Sequence, residues 1–168
     1  MRSLAINLYS MAEVLAGTGK NEEAARHAAE AVAIAEGLDD PQTLAYATYV
    51  VGWVAFTLGE AEKSALHLRR ALAMARALGD ESACIYAIEG IAEALTLLGD
   101  DETAVVLVAA TKQHREATGQ PLPPFERTML EERLARSRAK LGEAGTAAAE
   151  SRGKRLGLEE ALEMAMGN

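Results

Sequence analysis

Apolar and small residues recur along this chain at helical spacing, and the pattern itself returns every forty residues. Ala24, Ala28 and Ala31 occupy the same places as Ser64, Leu68 and Ala71. A polar turn and helix start precede each set: Thr18-Gly19-Lys20-Asn21-Glu22-Glu23-Ala24, Leu58-Gly59-Glu60-Ala61-Glu62-Lys63-Ser64 and Leu98-Gly99-Asp100-Asp101-Glu102-Thr103-Ala104. A fixed period in this range marks a stacked array of helical repeats. Each period divides into two helices, the first over about 3–17, 41–58 and 81–98, the second over about 21–36, 61–78 and 101–117. Small residues on the second helices let the members of a pair approach closely. One repeat cannot bury its own apolar face, so neighbours must stack.

Local chemistry marks the boundaries. Gly37 and Gly79 suit helix ends in the left-handed conformation. Asp40 followed by Pro41 forms a cap-then-first-position pair, and Asp80 can cap the next opening helix. Beyond Gly119 the period fails. Pro121-Leu122-Pro123-Pro124 forces an extended corner, and Phe125 to Leu141 reads as an amphipathic helix with Met129, Leu130, Leu134 and Leu141 on one side. Gly142 breaks that helix, Ala144–Arg155 is Ala-rich, and Leu156–Met166 forms a short last helix. The expected organisation is three repeats over 1–39, 40–79 and 80–120, with capping helices over 121–168.

These residues resemble the tetratricopeptide repeat (TPR). The likeness lies in the Gly before each second helix, the Ala or Ser five residues later, the small residue at Ala71, and Gly52 in the first helix. It implies an all-α, right-handed superhelical array of about three long helix pairs with a C-terminal helical cap. The family's aromatic in the second helix is replaced by Ala28, Leu68 and Val108. The stretch from Ala109-Ala110 through Pro121-Leu122-Pro123-Pro124, with Leu158–Leu162 near the end, is similar to the C-terminal helical region of large bacterial LuxR-type and signal-transduction-ATPase regulators. That resemblance implies a sensor or partner-docking array, normally attached to an ATPase and a DNA-binding module. No Gly-rich phosphate loop and no basic recognition helix is written here, and the chain opens at Met1-Arg2-Ser3 almost inside a helix, which suggests a fragment or a truncated gene product.

Composition narrows the function classes. Hydrophobic residues are 49% but aromatics only 4%, a balance that favours packed helices over sheet. At 168 residues the chain can bury roughly two-thirds of its unfolded surface. A net charge of −8 argues against general nucleic-acid or anionic-membrane binding. The single Cys84 cannot form an internal disulfide, which fits a reducing, cytoplasmic setting, and no apolar run reaches a membrane span. Residues 126–155 carry eight Lys or Arg against five acids, while 1–125 carry nine against seventeen. Arg127, Arg133, Arg136, Arg138 and Lys140 can therefore form a basic stripe that docks on the acidic array or touches a phosphate-bearing partner.

Tyr46, Tyr49, Trp53 and Phe56 are spaced three, four and three apart, along one face of one helix. Tyr9 and Tyr86 fall at equivalent places one period away, so only Phe125 among the seven aromatics lies off the first-helix row. In TPR arrays that row lines the concave groove. Glu13 and Glu93 are period-equivalents of Trp53, and Glu89 of Tyr49. The inferred groove is aromatic in the middle repeat and acidic on both flanks, suited to a basic or amine-bearing partner. Two other readings stand beside it: the helix from Leu44 to Leu58 is apolar nearly all round and its aromatics are core, or they form a self-association seam.

His27 and His67 are period-equivalents, and His114 stands alone; neither they nor Cys84 suggest a metal or nucleophile site. Asp39, Asp40, Asp80, Glu81, Asp100, Asp101 and Glu102 lie at helix starts, where they complement the helix dipole. The expected function is a non-catalytic protein- or peptide-binding module without cofactor or metal. A structural homo-oligomeric element and a small-ligand receptor closed by the cap helices are the alternatives.

Overall fold

A computed structural model describes residues 1–167. Among them are eight helices and no strand: α1 (Arg2–Gly17), α2 (Asn21–Glu36), α3 (Pro41–Thr57), α4 (Ala61–Leu78), α5 (Glu81–Leu98), α6 (Asp101–Thr118), α7 (Pro124–Arg155) and α8 (Leu158–Met166). The protein is an all-α, TPR-like helical repeat array, and its first six helices keep the boundaries read from the sequence within two residues. The forty-residue period is visible in the backbone. The same turn bond closes each pair, from Lys20 N to Leu15 O, Glu60 N to Ala55 O and Asp100 N to Leu95 O, at 2.9, 2.9 and 3.0 Å. Each closes over a glycine at positive φ, Gly19, Gly59 and Gly99, a conformation that other residues adopt only with strain.

Helix starts follow the acids. Asp40 accepts from Thr43 N at 3.1 Å with Pro41 in the first turn, and Asp80 and Asp100 accept from Ala83 N and Thr103 N at 3.0 and 3.2 Å. Gly79 ends α4 at φ 67°, as expected. Gly37 does not match its expectation: it ends α2 at φ −84° in the right-handed region, because the following Gly37-Leu38-Asp39 turn reaches the Asp40 cap without a left-handed step.

Cα packing divides the chain into two compact units, Met1–Gly90 and Ile91–Asn168, with the division inside α5. In the first unit α1 pairs with α2, α3 with α4, and α3 also packs on α1 and α2. Ala12, Ala16, Ala24, Ala28, Val50 and Val54 form one buried cluster, and Ala31, Ala35 and Ala47 another. Small residues set the helix separation. A Cβ added at Gly52 would lie 2.7 Å from Leu68 Cγ, so α4 carries a buried Leu where α3 has no side chain.

In the second unit α7 and α8 pack on α6, which is buried continuously from Ala104 to Thr111. α7 is two helices joined at Gly142, whose φ of 70° and ψ of 177° break the helix where the sequence placed the break. Leu130, Leu134 and Ser137 are buried in the first half, Ala149 and Gly153 in the second. At Gly153 a Cβ would lie 2.3 Å from Val106 O, so this glycine permits backbone contact between α7 and α6. Leu156 is extended, and the last helix begins two residues later than the sequence suggested.

Candidate functional site

The first unit brings four of the six row aromatics close together, and one of them, Tyr46, bonds to Glu13. Tyr9 and Tyr46 stand 4.7 Å apart between ring centroids, and Tyr46 and Tyr49 5.9 Å, both tilted. Tyr46, Tyr49 and Tyr86 line one cleft of about 90 Å³ between α3, α4 and the start of α5, with Asp80 and Gln42 at its polar edge and alanines at its floor. The helical repeat produces this cluster: the three- and four-residue steps bring Tyr46 and Tyr49 to one face of α3, and the forty-residue period brings Tyr9 and Tyr86 alongside from α1 and α5.

Glu13 of α1 accepts a hydrogen bond from Tyr46 Oη at 3.0 Å. Burial raises the Glu13 carboxyl above the usual carboxylate range, although the Tyr46 hydroxyl works in the opposite direction. Burial also pushes the Tyr46 phenol far above its ordinary value, reinforced by the neighbouring Glu13 charge and their shared hydrogen bond. The phenol is therefore a fixed donor to the half-buried Glu13 carboxyl, and the Tyr9 ring stands beside Tyr46. That arrangement attracts a cation: ring and carboxylate both favour positive charge, and the ring contribution is about 0.5–1 kcal/mol at a partly exposed site.

The remaining row residues take other positions. Trp53 is half-buried against the cluster of Ala12, Ala16, Val50 and Val54, so it belongs to the α1–α3 core seam as much as to a surface. Phe56 is half-buried at the end of α3. Tyr46 is 42% exposed, which makes it, and not Trp53, the accessible centre of the row.

Acid on both flanks is not what the structure presents. Glu89 and Glu93 are each 6% exposed, and Glu93, in the second unit, is held by Arg133 Nη1 at 2.6 Å. Within the second unit an arginine from α7 pairs with the buried Glu93. Accessible acid on the row reduces to Glu13. Of the basic stripe, Arg133 meets Glu93 of α5 and Lys140 meets Asp101 of α6 at 2.8 Å, whereas Arg138 pairs with Glu131 and Glu150 of α7 itself; Arg152, outside the stripe, reaches Glu102 at 3.3 Å. Burial works against the Asp101 carboxylate, but hydrogen bonds from Lys140 and Ser137 outweigh it and hold its pKa low.

Among the described residues no group of three or more His, Cys, Asp or Glu is placed to hold a metal ion, and no helix is long and apolar enough to cross a membrane. Cys84 is buried. Sequence reasoning missed a second cleft, of about 290 Å³, on the other side of α3 between α2 and α4. Its signal was available in Lys63, His67 and Arg70, which recur at helical spacing on α4 and resemble an ordinary solvated stripe until the alanines of α2 are placed opposite.

Paired helices with a shared turn bond, and small residues where α1 meets α2 and α3 meets α4, define a TPR-like helical-repeat fold. Residues 3–77 match the family model described as tetratricopeptide repeat, a scaffold that suggests protein–protein interaction and is typically non-catalytic. No curated protein and no solved structure matches the chain.

Proposed function

We propose that this chain is a peptide-binding repeat module whose aromatic row, Tyr9, Tyr46, Tyr49, Trp53, Phe56 and Tyr86, receives a Lys- or Arg-bearing segment of a protein partner. Glu13 is the acid that orients it. The observation that carries this reading is the half-buried Glu13 carboxylate joined to the exposed Tyr46 ring within a cluster of tyrosines. Apolar contact with the rings supplies affinity, and the carboxylate selects charge. Glu89 and Glu93 act as buried supports for the first-helix row. Residues 121–168 cap the array. The setting is a cytoplasmic bacterial transcriptional regulator of LuxR-like type, for which this chain is the sensing or regulatory part; the likeness of the 109–127 stretch and of Leu158–Leu162 to such regulators supports it.

The test is titration with a short Lys/Leu peptide and its Glu/Leu counterpart, read by Trp53 emission and calorimetry. The basic peptide binds and Tyr46→Ala weakens it with helicity unchanged. Equal binding of the two peptides, or no effect of Tyr46→Ala, contradicts the proposal.

Self-assembly has one observation in its favour. Leu4, Met11 and Val14, at 44%, 49% and 63% exposure, share one side of α1. Sedimentation tests it: Met11→Lys/Val14→Lys dissociates a dimer if one forms through this side, and a monomer at all concentrations excludes it.

A further inference from the structure

We propose that the cleft between α2 and α4 is a second docking site, on the side of α3 opposite the tyrosines, and that it takes an acidic amphipathic helix of a partner protein. At one hundred degrees per residue, Thr48, Val51 and Ala55 point away from Tyr46, Tyr49 and Trp53. They form the floor of the 290 Å³ cleft. The two walls differ. α2 contributes Ala25, Ala29 and Val32, uncharged except for Glu36 one turn on, which pairs with Arg70, whereas α4 contributes Lys63, His67 and Arg70. These three recur at intervals of four and three, so they form one stripe about 10 Å long, or two helical turns.

An apolar trough with one nearly uncharged wall and one cationic wall matches a particular occupant. A helix can set its apolar face on the floor and lay Glu or Asp at the same four- and three-residue intervals along α4. A small anion would leave the trough unfilled, and a basic segment would meet like charge on the α4 wall.

The cations are held loosely for such an exchange. Lys63 pairs with Glu60 at 2.8 Å and Arg70 with Glu36 at 3.6 Å, all four side chains being well exposed. Exposed pairs of this kind contribute about 0–1 kcal/mol, so incoming carboxylates can displace them. The protein's net charge is −8, so the attraction for an acidic partner is local to this wall and acts at contact range. The two sides of α3 thus have opposite preferences, a cation at Glu13 and an anion at Lys63–Arg70.

His67 supplies a reporter inside the cleft. Partial burial, with the charges of Lys63 and Arg70, holds its pKa below the usual histidine value. The charged groups facing the cleft are those two cations and their partners Glu60 and Glu36, the rest of the lining from α2 and α3 being uncharged. A carboxylate seated along α4 stabilises the imidazolium and raises that pKa.

The test uses the full chain and a synthetic Leu/Ala/Glu amphipathic helix, with its Lys-for-Glu counterpart and a scrambled sequence as controls. The acidic helix binds, and the His67 ring resonances titrate at higher pH when it is saturating. Lys63→Glu/Arg70→Glu weakens binding by about tenfold or more with circular dichroism unchanged, while Tyr46→Ala leaves it unaltered. Equal binding of the acidic and basic helices, an unmoved His67 titration, or insensitivity to the double substitution overturns the proposal. A wild-type dimer that becomes monomeric on Lys63→Glu/Arg70→Glu also overturns it, because the occupant is then a second copy of this chain.

Discussion

Glu13 and Glu93 occupy the same place two periods apart, yet one belongs to an accessible cluster and the other to a buried ion pair. In the first unit the acid lies among tyrosines and keeps part of its surface in water. In the second, α7 delivers Arg133 and removes the acid from use. The repeat fixes where a side chain stands; the element packed beside it decides whether that side chain is structural or available. The contrast extends to whole surfaces. The second unit matches the acids of α5 and α6 with arginine and lysine from α7, whereas the first leaves two unlike clefts on either side of α3.

The largest effect should come from breaking the buried pair. Arg133→Met leaves the Glu93 carboxylate without its arginine and should cost about 3 kcal/mol in denaturant unfolding. Glu93→Leu combined with Arg133→Met should recover most of that loss; no recovery would mean that Arg133 acts through other contacts. Next is Gly153→Ala, which forces a methyl against Val106 O and should cost about 2–3 kcal/mol as α7 shifts from α6. In the first unit Gly52→Ala meets Leu68 and should cost about 1–2 kcal/mol, with Leu68→Ala partly compensating, as a double-mutant cycle would show.

Smaller effects fall on binding. Tyr46→Ala should weaken a basic peptide by about five- to tenfold, equivalent to roughly 1 kcal/mol, with unfolding barely changed because the ring is 42% exposed. The smallest is a pH effect. Glu13 has a raised folded-state pKa, so it binds its proton earlier than an ordinary glutamate as pH falls. Basic-peptide affinity should therefore decline a few-fold on acidification through that raised value, and Glu13→Gln should flatten the profile. The stability sign is opposite. A carboxyl whose folded pKa exceeds its unfolded one favours folding below the unfolded value and loses that contribution as pH rises through the folded one, so Glu13→Gln should be neutral or slightly stabilising at neutral pH.

Helix positions were legible because their signals are local. Asp40, Asp80 and Asp100 cap, Pro41 starts, and Gly19, Gly59 and Gly99 turn, each acting within a few residues. Gly142 broke α7 for the same reason. Gly37 misled because a glycine permits a left-handed turn without requiring one. The tyrosine cluster was also legible, since period and helical step together determine which rings meet. What escaped depended on distant partners. Arg133 reaches Glu93 from forty residues away, in a segment where the repeat pattern has ended. Nothing near Trp53 in sequence distinguishes a ring on the core seam from one on a rim. The cation stripe of α4 gains meaning only when the alanine wall of α2 faces it.

The most direct test is titration of one Lys/Leu peptide against Glu13→Gln and Arg133→Met, under conditions where both variants remain folded. Equivalent positions with different neighbours should separate cleanly: Glu13→Gln loses affinity with its stability kept, and Arg133→Met loses stability with its affinity kept. Equal loss of affinity in both variants would contradict the account, as would full retention of affinity in Glu13→Gln.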